Sequence, residues 1–145
     1  METIKEIQDK IIEEFNSFED WLDKYDRLIE IGKEIPLIDE KYKNKEYLIK
    51  GCQSRVWLYP EFKDNKLYFK ADSDAIITKG LIALLIKVFS GHTPEEILNA
   101  DIYFIDKIGL KEHLSPTRAN GLLAMIKQIK LYALAYQTKL NQENK

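Results

Sequence analysis

Cysteine is almost absent from this sequence, since Cys52 is the only one among 145 residues. A single thiol cannot form a disulfide within the chain, so the fold cannot depend on a disulfide framework. Histidine is also scarce, because His92 and His113 are the only two and stand 21 residues apart. Zinc sites usually combine several cysteines and histidines at short spacing. We therefore expect no metal site.

The sequence also lacks an excess of charge of one sign and a long apolar run. Its 22 lysines and arginines and 24 aspartates and glutamates leave a net charge of −2. This balance argues against binding to nucleic acid or to a membrane surface. Residues 1–6 lack the apolar core of a signal peptide, and no apolar run is long enough to span a bilayer. With one thiol and no export signal, we expect a cytoplasmic location.

Glycine and proline are too sparse to divide the chain. The six glycines are scattered, so there is no glycine-rich loop that would bind phosphate. Hydrophobic residues make up 45% of the sequence, which is enough for a substantial core in a chain of this length. We expect a single domain over residues 1–145, with a polar tail that begins after residue 140.

Apolar residues at helical spacing predict two helices at the beginning of the chain. Thr3 and Glu6 form a capping box ahead of the first helix. Ser17 is placed to cap the second helix, and Gly32 is placed to end it as the C′ residue. Both helices are expected to pack on the core through one apolar face.

The middle of the chain predicts a small antiparallel sheet. The strand candidates are residues 47–49, 55–59 and 67–71, with a turn at 63–66. Pro60 has no N–H group to donate to a neighbouring strand, so we expect it to mark a strand end or an edge of the sheet.

Three helices are predicted after the sheet. From Ala75 to Phe89 apolar residues occupy nearly every helical face, which indicates a central buried helix. Asp72 or Ser73 is expected to cap this helix, and Asp74 to lie near the positive end of its dipole. A short helix begins after Thr93, with Pro94 in its first position and Glu96 completing a capping box. Residues 101–108 are a further short helical or irregular piece, and a long helix follows Ser115-Pro116. Helices, then an antiparallel sheet, then helices define an α+β fold.

Cys52 lies on a predicted turn, after Gly51 and just before a strand. Such a turn can present a thiol to another molecule. Lys45, Lys50 and Arg55 are near in sequence, and cations favour the reactive thiolate form of cysteine, although acidic neighbours offset part of their field. A lone cysteine is also often a small inert core residue, so a reactive and a buried Cys52 are both open at this point.

One alternative function uses the second histidine. Cysteine nucleophiles in hydrolases and transferases are activated by a histidine that is close in space rather than in sequence. Cys52 with His113 could form such a pair, although nothing else in the sequence marks an oxyanion hole or a substrate pocket.

Several stretches of the sequence together resemble the SufE family of sulfur-acceptor proteins. The signature is Gly51-Cys52-Gln53-Ser54 followed by Val56-Trp57. Further stretches agree in order and spacing, namely Asp72-Ser73-Asp74-Ala75, Lys79-Gly80-Leu81, and His113-Leu114-Ser115-Pro116-Thr117-Arg118 with Gly121-Leu122. The resemblance extends from Phe15 to Tyr136, nearly the whole chain.

The resemblance implies a fold and a function. The fold would be SufE/IscU-like, with about three strands packed against several helices. Cys52 would accept sulfur as a persulfide from a SufS-like cysteine desulfurase, stimulate that enzyme and pass the sulfur to an iron–sulfur cluster scaffold. Gly51, Gln53 and Ser54 would support the loop, and Asp74 and Arg118 would contact the partner. Pyridoxal phosphate would reside on the desulfurase, and this chain would carry no cofactor of its own.

A single cysteine suits this implied role. A neighbouring thiol would attack the persulfide and release sulfide, whereas an iron–sulfur cluster needs several thiolate ligands. Independent enzymatic turnover is not expected of such a carrier. A structural adaptor with an inert Cys52 is a further alternative, and it would tolerate replacement of Cys52 by serine.

Overall fold

The computed structural model describes residues 2–143 as an α+β fold with one β-hairpin, several helices and a long C-terminal helix. In chain order the elements are α1 (Ile4–Asn16), α2 (Trp21–Lys33), a 3-10 turn (Glu40–Tyr42), β1 (Val56–Lys63), β2 (Lys66–Ser73), α3 (Ile76–Phe89), α4 (Pro94–Asn99), α5 (Phe104–Lys107), α6 (Leu110–His113) and α7 (Pro116–Glu143). The polar tail predicted after residue 140 is helical as far as Glu143.

The hairpin turns where the sequence predicts. Strands β1 and β2 pair antiparallel from Val56 with Ser73 to Lys63 with Lys66. Asp64 and Asn65 form the two-residue loop, with φ of 53° and 63°, which is the left-handed backbone of a type I′ turn. The third predicted strand, residues 47–49, is reduced to a bridge between Leu48 and Trp57 on the outer edge of β1.

Pro60 does not end β1, which continues to Lys63. Of the two predictions from its missing N–H group, the strand end is wrong and the edge position is confirmed. The N–H of Leu58 points outward to the carbonyl of Tyr47 at 2.9 Å, and backbone direction alternates along a strand. Pro60 is two residues further along, so its backbone nitrogen faces the same outer edge. The N–H group that proline lacks would therefore point away from β2.

Helix α3 is the centre of the core, as its apolar character predicts. Residues 80–86 are all buried, together with Val88 and Phe89. Its neighbour α2 lies so close that a Cβ on Gly80 would stand 2.4 Å from the carbonyl oxygen of Leu28. Gly32 lies inside α2 against the backbone of Gly80, not beyond the helix end as the C′ residue that the sequence predicts.

Two predicted N-caps are wrong and two are confirmed. Asp20 caps α2 through the backbone N–H of Asp23, while Ser17 instead ends α1. Ala75 is the N-cap of α3, with no side-chain hydrogen bond, because Asp72 and Ser73 still belong to β2. The capping boxes of α1 (Thr3 and Glu6) and α4 (Thr93 and Glu96) are both present. None of the described helices combines the length and the apolar character that crossing a bilayer requires.

Candidate functional site

The Cys52 loop connects the Leu48 bridge to the start of β1. Its base is closed by a hydrogen bond of 2.8 Å from the N–H of Ile49 to the carbonyl of Val56. Gly51 has φ of 95°, a backbone conformation that side chains disfavour. A Cβ at this position would also stand 3.2 Å from the Cβ of Ala124 in α7. Glycine at position 51 therefore lets the loop turn while it lies against α7.

The Cys52 side chain is half-buried against α7. Its Sγ lies 3.5 Å from the carbonyl oxygen of Gly121, to which the thiol donates a hydrogen bond. Gly121 has no side chain, and the sulfur occupies the surface beside it, 3.5 Å from where a Cβ would stand. The loop thus holds the thiol inward, between α3 and α7, rather than projecting it into solvent.

Arg55 and Asp74 secure the other end of the loop. One carboxylate oxygen of Asp74 accepts the backbone N–H of Arg55 at 3.0 Å, and the other accepts its Nε at 3.1 Å. The hydroxyl of Ser73 donates to the carbonyl of Arg55 at 2.8 Å. Asp74 therefore positions the chain between Cys52 and β1, a role that sequence analysis did not assign to it.

A cavity of about 300 Å³ opens beside Cys52. It lies between the loop, α3 and the first turns of α7. The lining residues are Cys52, Gln53, Ser54, Thr78, Leu81, Ser115, Thr117, Arg118, Gly121 and Met125. Hydroxyl groups and the Arg118 side chain make much of this wall polar, while Leu81 and Met125 are buried apolar residues.

Burial raises the pKa of the Cys52 thiol. The expectation that nearby cations favour the thiolate is not met, because removal of the thiol from water disfavours its charged form. The Arg55 guanidinium is also engaged by the Asp74 carboxylate. At neutral pH the resting side chain is therefore a protonated thiol, consistent with its hydrogen bond to Gly121.

His113 is not part of this site. Its ring stacks on Trp21 with centroids 3.9 Å apart, and its Nδ1 lies 3.1 Å from the carbonyl oxygen of Gly109. The residues that line the Cys52 cavity do not include it. The structure therefore gives no support to a Cys52–His113 nucleophile pair. Within residues 2–143 no cluster of histidine, cysteine or carboxylate side chains is placed to hold a metal ion.

The predicted loop residues and Arg118 come together, and the structure adds others. Gln53, Ser54 and Arg118 line the cavity with Cys52. Asp74 does not line it. Thr78 and Met125 are additional lining residues that no sequence signal marks, because threonine and methionine are ordinary components of an apolar helix. Asp74 and Arg118 as partner contacts remain predictions.

Comparison with known proteins assigns the family. Residues 9–133 match the model of the SufE family, described as an Fe–S metabolism associated domain. The chain belongs to the SufE family. This membership places it in iron–sulfur metabolism.

Two relatives and one solved structure illustrate the match. An uncharacterised SufE-like protein of Rhizobium meliloti is 42% identical over 127 residues, which cover 84% of this chain and 91% of the relative. The SufE-like protein 1, chloroplastic/mitochondrial, of Arabidopsis thaliana is 36% identical over 99% of this chain, which spans only 40% of that longer protein. The solution structure of a hypothetical protein from Thermus thermophilus superposes with a TM-score of 0.76 at 20% identity, covering 91% of this chain and 96% of that one. The last match supports the fold alone.

Proposed function

We propose that this SufE-family chain accepts sulfur on Cys52 from a cysteine desulfurase and passes it to an iron–sulfur cluster scaffold. The observation that carries the proposal is the placement of the chain's only cysteine on a glycine-hinged loop at a cavity. A lone thiol beside empty space has room for an added sulfur atom. The proposed location is the cytoplasm, and the proposed partner, not this chain, carries pyridoxal phosphate.

The proposed transfer is a thiol exchange on a sulfur atom. The desulfurase holds a terminal sulfur on its own cysteine, and the thiolate of Cys52 attacks that terminal atom. A new S–S bond forms at Cys52, the S–S bond on the partner breaks, and the partner's cysteine leaves as a thiolate that can take up the proton lost by Cys52. The rate depends on the thiolate fraction and on access.

In the resting site both the thiolate fraction and the access to the thiol are low. Its thiol has a raised pKa and is half-buried. We infer that docking of the desulfurase draws the loop outward, so that the thiol leaves Gly121 and loses its proton more readily. Arg118, at the cavity edge, and the exposed Asp74 are proposed to face the partner.

Mass spectrometry after incubation with a cysteine desulfurase and L-cysteine tests the proposal. We expect the chain to gain the mass of one sulfur atom, mapped to Cys52, and to stimulate the desulfurase. Cys52→Ser should lose both the adduct and the stimulation. Its free energy of unfolding should change by less than about 1 kcal/mol, because serine can also donate to the Gly121 carbonyl.

Other outcomes favour the alternatives. A structural adaptor would keep its stimulation of the desulfurase as Cys52→Ser. A hydrolase would cleave a small ester or amide without any partner. Sulfur found on the serine variant would show that Cys52 is not the acceptor.

A further inference from the structure

Among the described residues, the buried side chain of Thr78 has a hydroxyl group without a hydrogen-bond partner. The residue lies in the first turn of α3 and is only 6% exposed. Every fully buried side-chain nitrogen or oxygen among the described residues has a hydrogen-bond partner, yet the Thr78 hydroxyl makes no hydrogen bond within residues 2–143. Its oxygen must therefore reach open space. The open space that Thr78 lines is the Cys52 cavity.

The position of Thr78 at the start of α3 explains why its hydroxyl is unbonded. The hydroxyl of a helical threonine commonly bonds to the carbonyl four residues earlier. Thr138 in α7 does so, donating to the carbonyl of Leu134 at 2.8 Å. Four residues before Thr78 is Asp74, which precedes the N-cap Ala75 and lies outside the helix. The Thr78 hydroxyl therefore has no such bond and is left free to donate to whatever occupies the cavity.

The loaded form of Cys52 would present a new acceptor in that cavity. In the resting state the thiol proton is directed to the Gly121 carbonyl. A persulfide has no proton on Sγ, so this hydrogen bond is lost and the added terminal sulfur must extend into free space. The cavity of about 300 Å³ can hold it, and its wall on α3 is formed by Thr78 and Leu81.

We propose that the Thr78 hydroxyl donates a hydrogen bond to the terminal sulfur of the Cys52 persulfide and holds that sulfur as an anion. The inference rests on the proposed sulfur-acceptor function. A hydrogen bond to a charged acceptor is stronger than one between neutral groups. The Thr78 hydroxyl thus forms this hydrogen bond only when Cys52 carries the added sulfur.

The anionic form protects the cargo from small thiols. A thiolate removes the terminal sulfur by attacking it, forming a new persulfide and releasing Cys52 as a thiolate. Attack on a protonated persulfide meets no charge repulsion, whereas attack on an anionic terminal sulfur does. Keeping the persulfide ionised therefore slows loss of sulfur to cellular reductants while the loop is closed.

The test compares Thr78→Val with Thr78→Ser after loading without a desulfurase. An aromatic disulfide reagent first converts Cys52 to a mixed disulfide, and sulfide then attacks the Cys52 sulfur and displaces the aromatic thiolate, which leaves the persulfide. Valine keeps the shape of threonine without its hydroxyl, and loss of an unpartnered hydroxyl should not destabilise the fold. Thr117→Val removes an exposed hydroxyl from the same cavity and is the matched control.

Ultraviolet titration of the loaded proteins gives the decisive measurement. We expect Thr78→Val to raise the pKa of the persulfide by about one unit and to shorten its lifetime in a small thiol several-fold. Thr78→Ser and Thr117→Val should behave like the wild type, and the pKa of the unloaded Cys52 thiol should be the same in all four proteins.

Two results would overturn the inference. One is a Thr78→Val persulfide that titrates like the wild type. The other is an equal shift in Thr117→Val, or in the unloaded thiol, which would indicate a general change of polarity. The persulfide is formed here by chemical reagents and not by a desulfurase. Failure of the desulfurase to load Cys52 would therefore count against the proposed function, while this titration could still be measured and interpreted.

Discussion

At the scale of single residues, burial and ion pairing determine how the side chains of the site are engaged. Burial raises the pKa of the Cys52 thiol, and the Asp74 carboxylate forms an ion pair with the Arg55 guanidinium. Arg118 differs, because its side chain is exposed, lines the cavity and has no carboxylate within ion-pair distance in the described part of the chain. Its place in the first turn of α7 is mildly unfavourable for a cation, since that end of a helix is positive.

Arg118→Ala should therefore affect the partner interaction more than the fold. We expect the free energy of unfolding to stay equal or to rise by a few tenths of a kcal/mol, and stimulation of the desulfurase to weaken at low salt. The defect should shrink as ionic strength rises, because salt screens the attraction that the wild type enjoys. Steady-state desulfurase rates over a salt series give the measurement.

Lys127→Ala is the control for this charge. Lys127 is another exposed cation of α7 that does not line the cavity. It should stimulate like the wild type at every salt concentration. If Arg118→Ala and Lys127→Ala behave alike, net charge rather than a docking contact explains the effect.

Among the elements, α2 and α3 are held together by backbone contact. The two glycines at their crossing allow it: a Cβ on Gly32 would stand 3.0 Å from the backbone nitrogen of Gly80, and one on Gly80 would stand 2.4 Å from the carbonyl oxygen of Leu28. The atoms in the way belong to the backbone and cannot rotate aside. Any side chain at Gly80 must therefore separate the two helices.

Gly80→Ala should destabilise the protein strongly, while Gly121→Ala should not. We expect the first to cost about 3 kcal/mol or more, as overpacking against a rigid neighbour does. At Gly121 the atom nearest to a Cβ would be the Cys52 sulfur, at an ordinary 3.5 Å, so the better helix propensity of alanine should contribute up to about 1 kcal/mol. Urea unfolding of the two variants measures both; equal midpoints would contradict the contact argument.

Local chemistry predicts the elements better than it predicts their boundaries. The capping boxes at Thr3 and Thr93, the Asp64-Asn65 turn and the buried α3 depend on neighbours in sequence, and all are present. The sequence predicts Gly32 as a helix end because glycine often is one, but its role depends on Gly80, which is distant in sequence. The mistaken strand end at Pro60 has the same origin, since only the assembled sheet shows that its backbone nitrogen faces the outer edge.

The features of the site also divide into those that the local sequence indicates and those that only the fold reveals. Cys52 and Gly51 are visible in the sequence, because a sole thiol after a glycine is a local signal. The raised pKa of the Cys52 thiol is not visible in the sequence, since it arises from burial of the side chain in the fold. Thr78 is not visible either, because only the fold shows that its hydroxyl opens onto the cavity.

Across the whole molecule, Asp72 joins the segment before the loop to the sheet and the central helix. Its carboxylate accepts Lys43 at 2.5 Å and Lys79 at 3.3 Å, and only 13% of its side-chain surface is exposed. Burial by itself raises the pKa of Asp72, but the hydrogen bonds from Lys43, from the Ser73 backbone and from Lys79 outweigh it, so the pKa is lowered.

Asp72→Asn should lower stability in a pH-dependent way. Because the folded pKa is below the unfolded one, the contribution of Asp72 is fully present above the unfolded pKa and is lost as pH falls through the folded pKa. We expect a loss of about 1–2 kcal/mol at neutral pH that shrinks in acid. Urea unfolding at several pH values measures it.

Glu61→Gln supplies the comparison with an exposed pair. Glu61 pairs with Lys70 across the hairpin at 2.9 Å, and both side chains are 43% exposed. Its loss should lower the free energy of unfolding much less than the loss of the Asp72 carboxylate does, because solvent screens an exposed pair. A larger loss for Glu61→Gln than for Asp72→Asn would contradict the importance given to burial.

The position of Trp57 makes its fluorescence sensitive to movement of the Cys52 loop. The Trp57 indole lies beneath two cations, with Lys43 Nζ at 5.8 Å and the Arg55 guanidinium at 5.6 Å from the ring, and these two residues stand on either side of the Cys52 loop in the sequence. Any movement of the loop that displaces Arg55 changes the electric field at the indole and hence its emission. The only other tryptophan, Trp21, stacks on His113, and replacing it with phenylalanine removes its contribution to the emission. A Trp21→Phe protein would therefore report loop opening by a shift in emission wavelength, without a dye attached to the thiol.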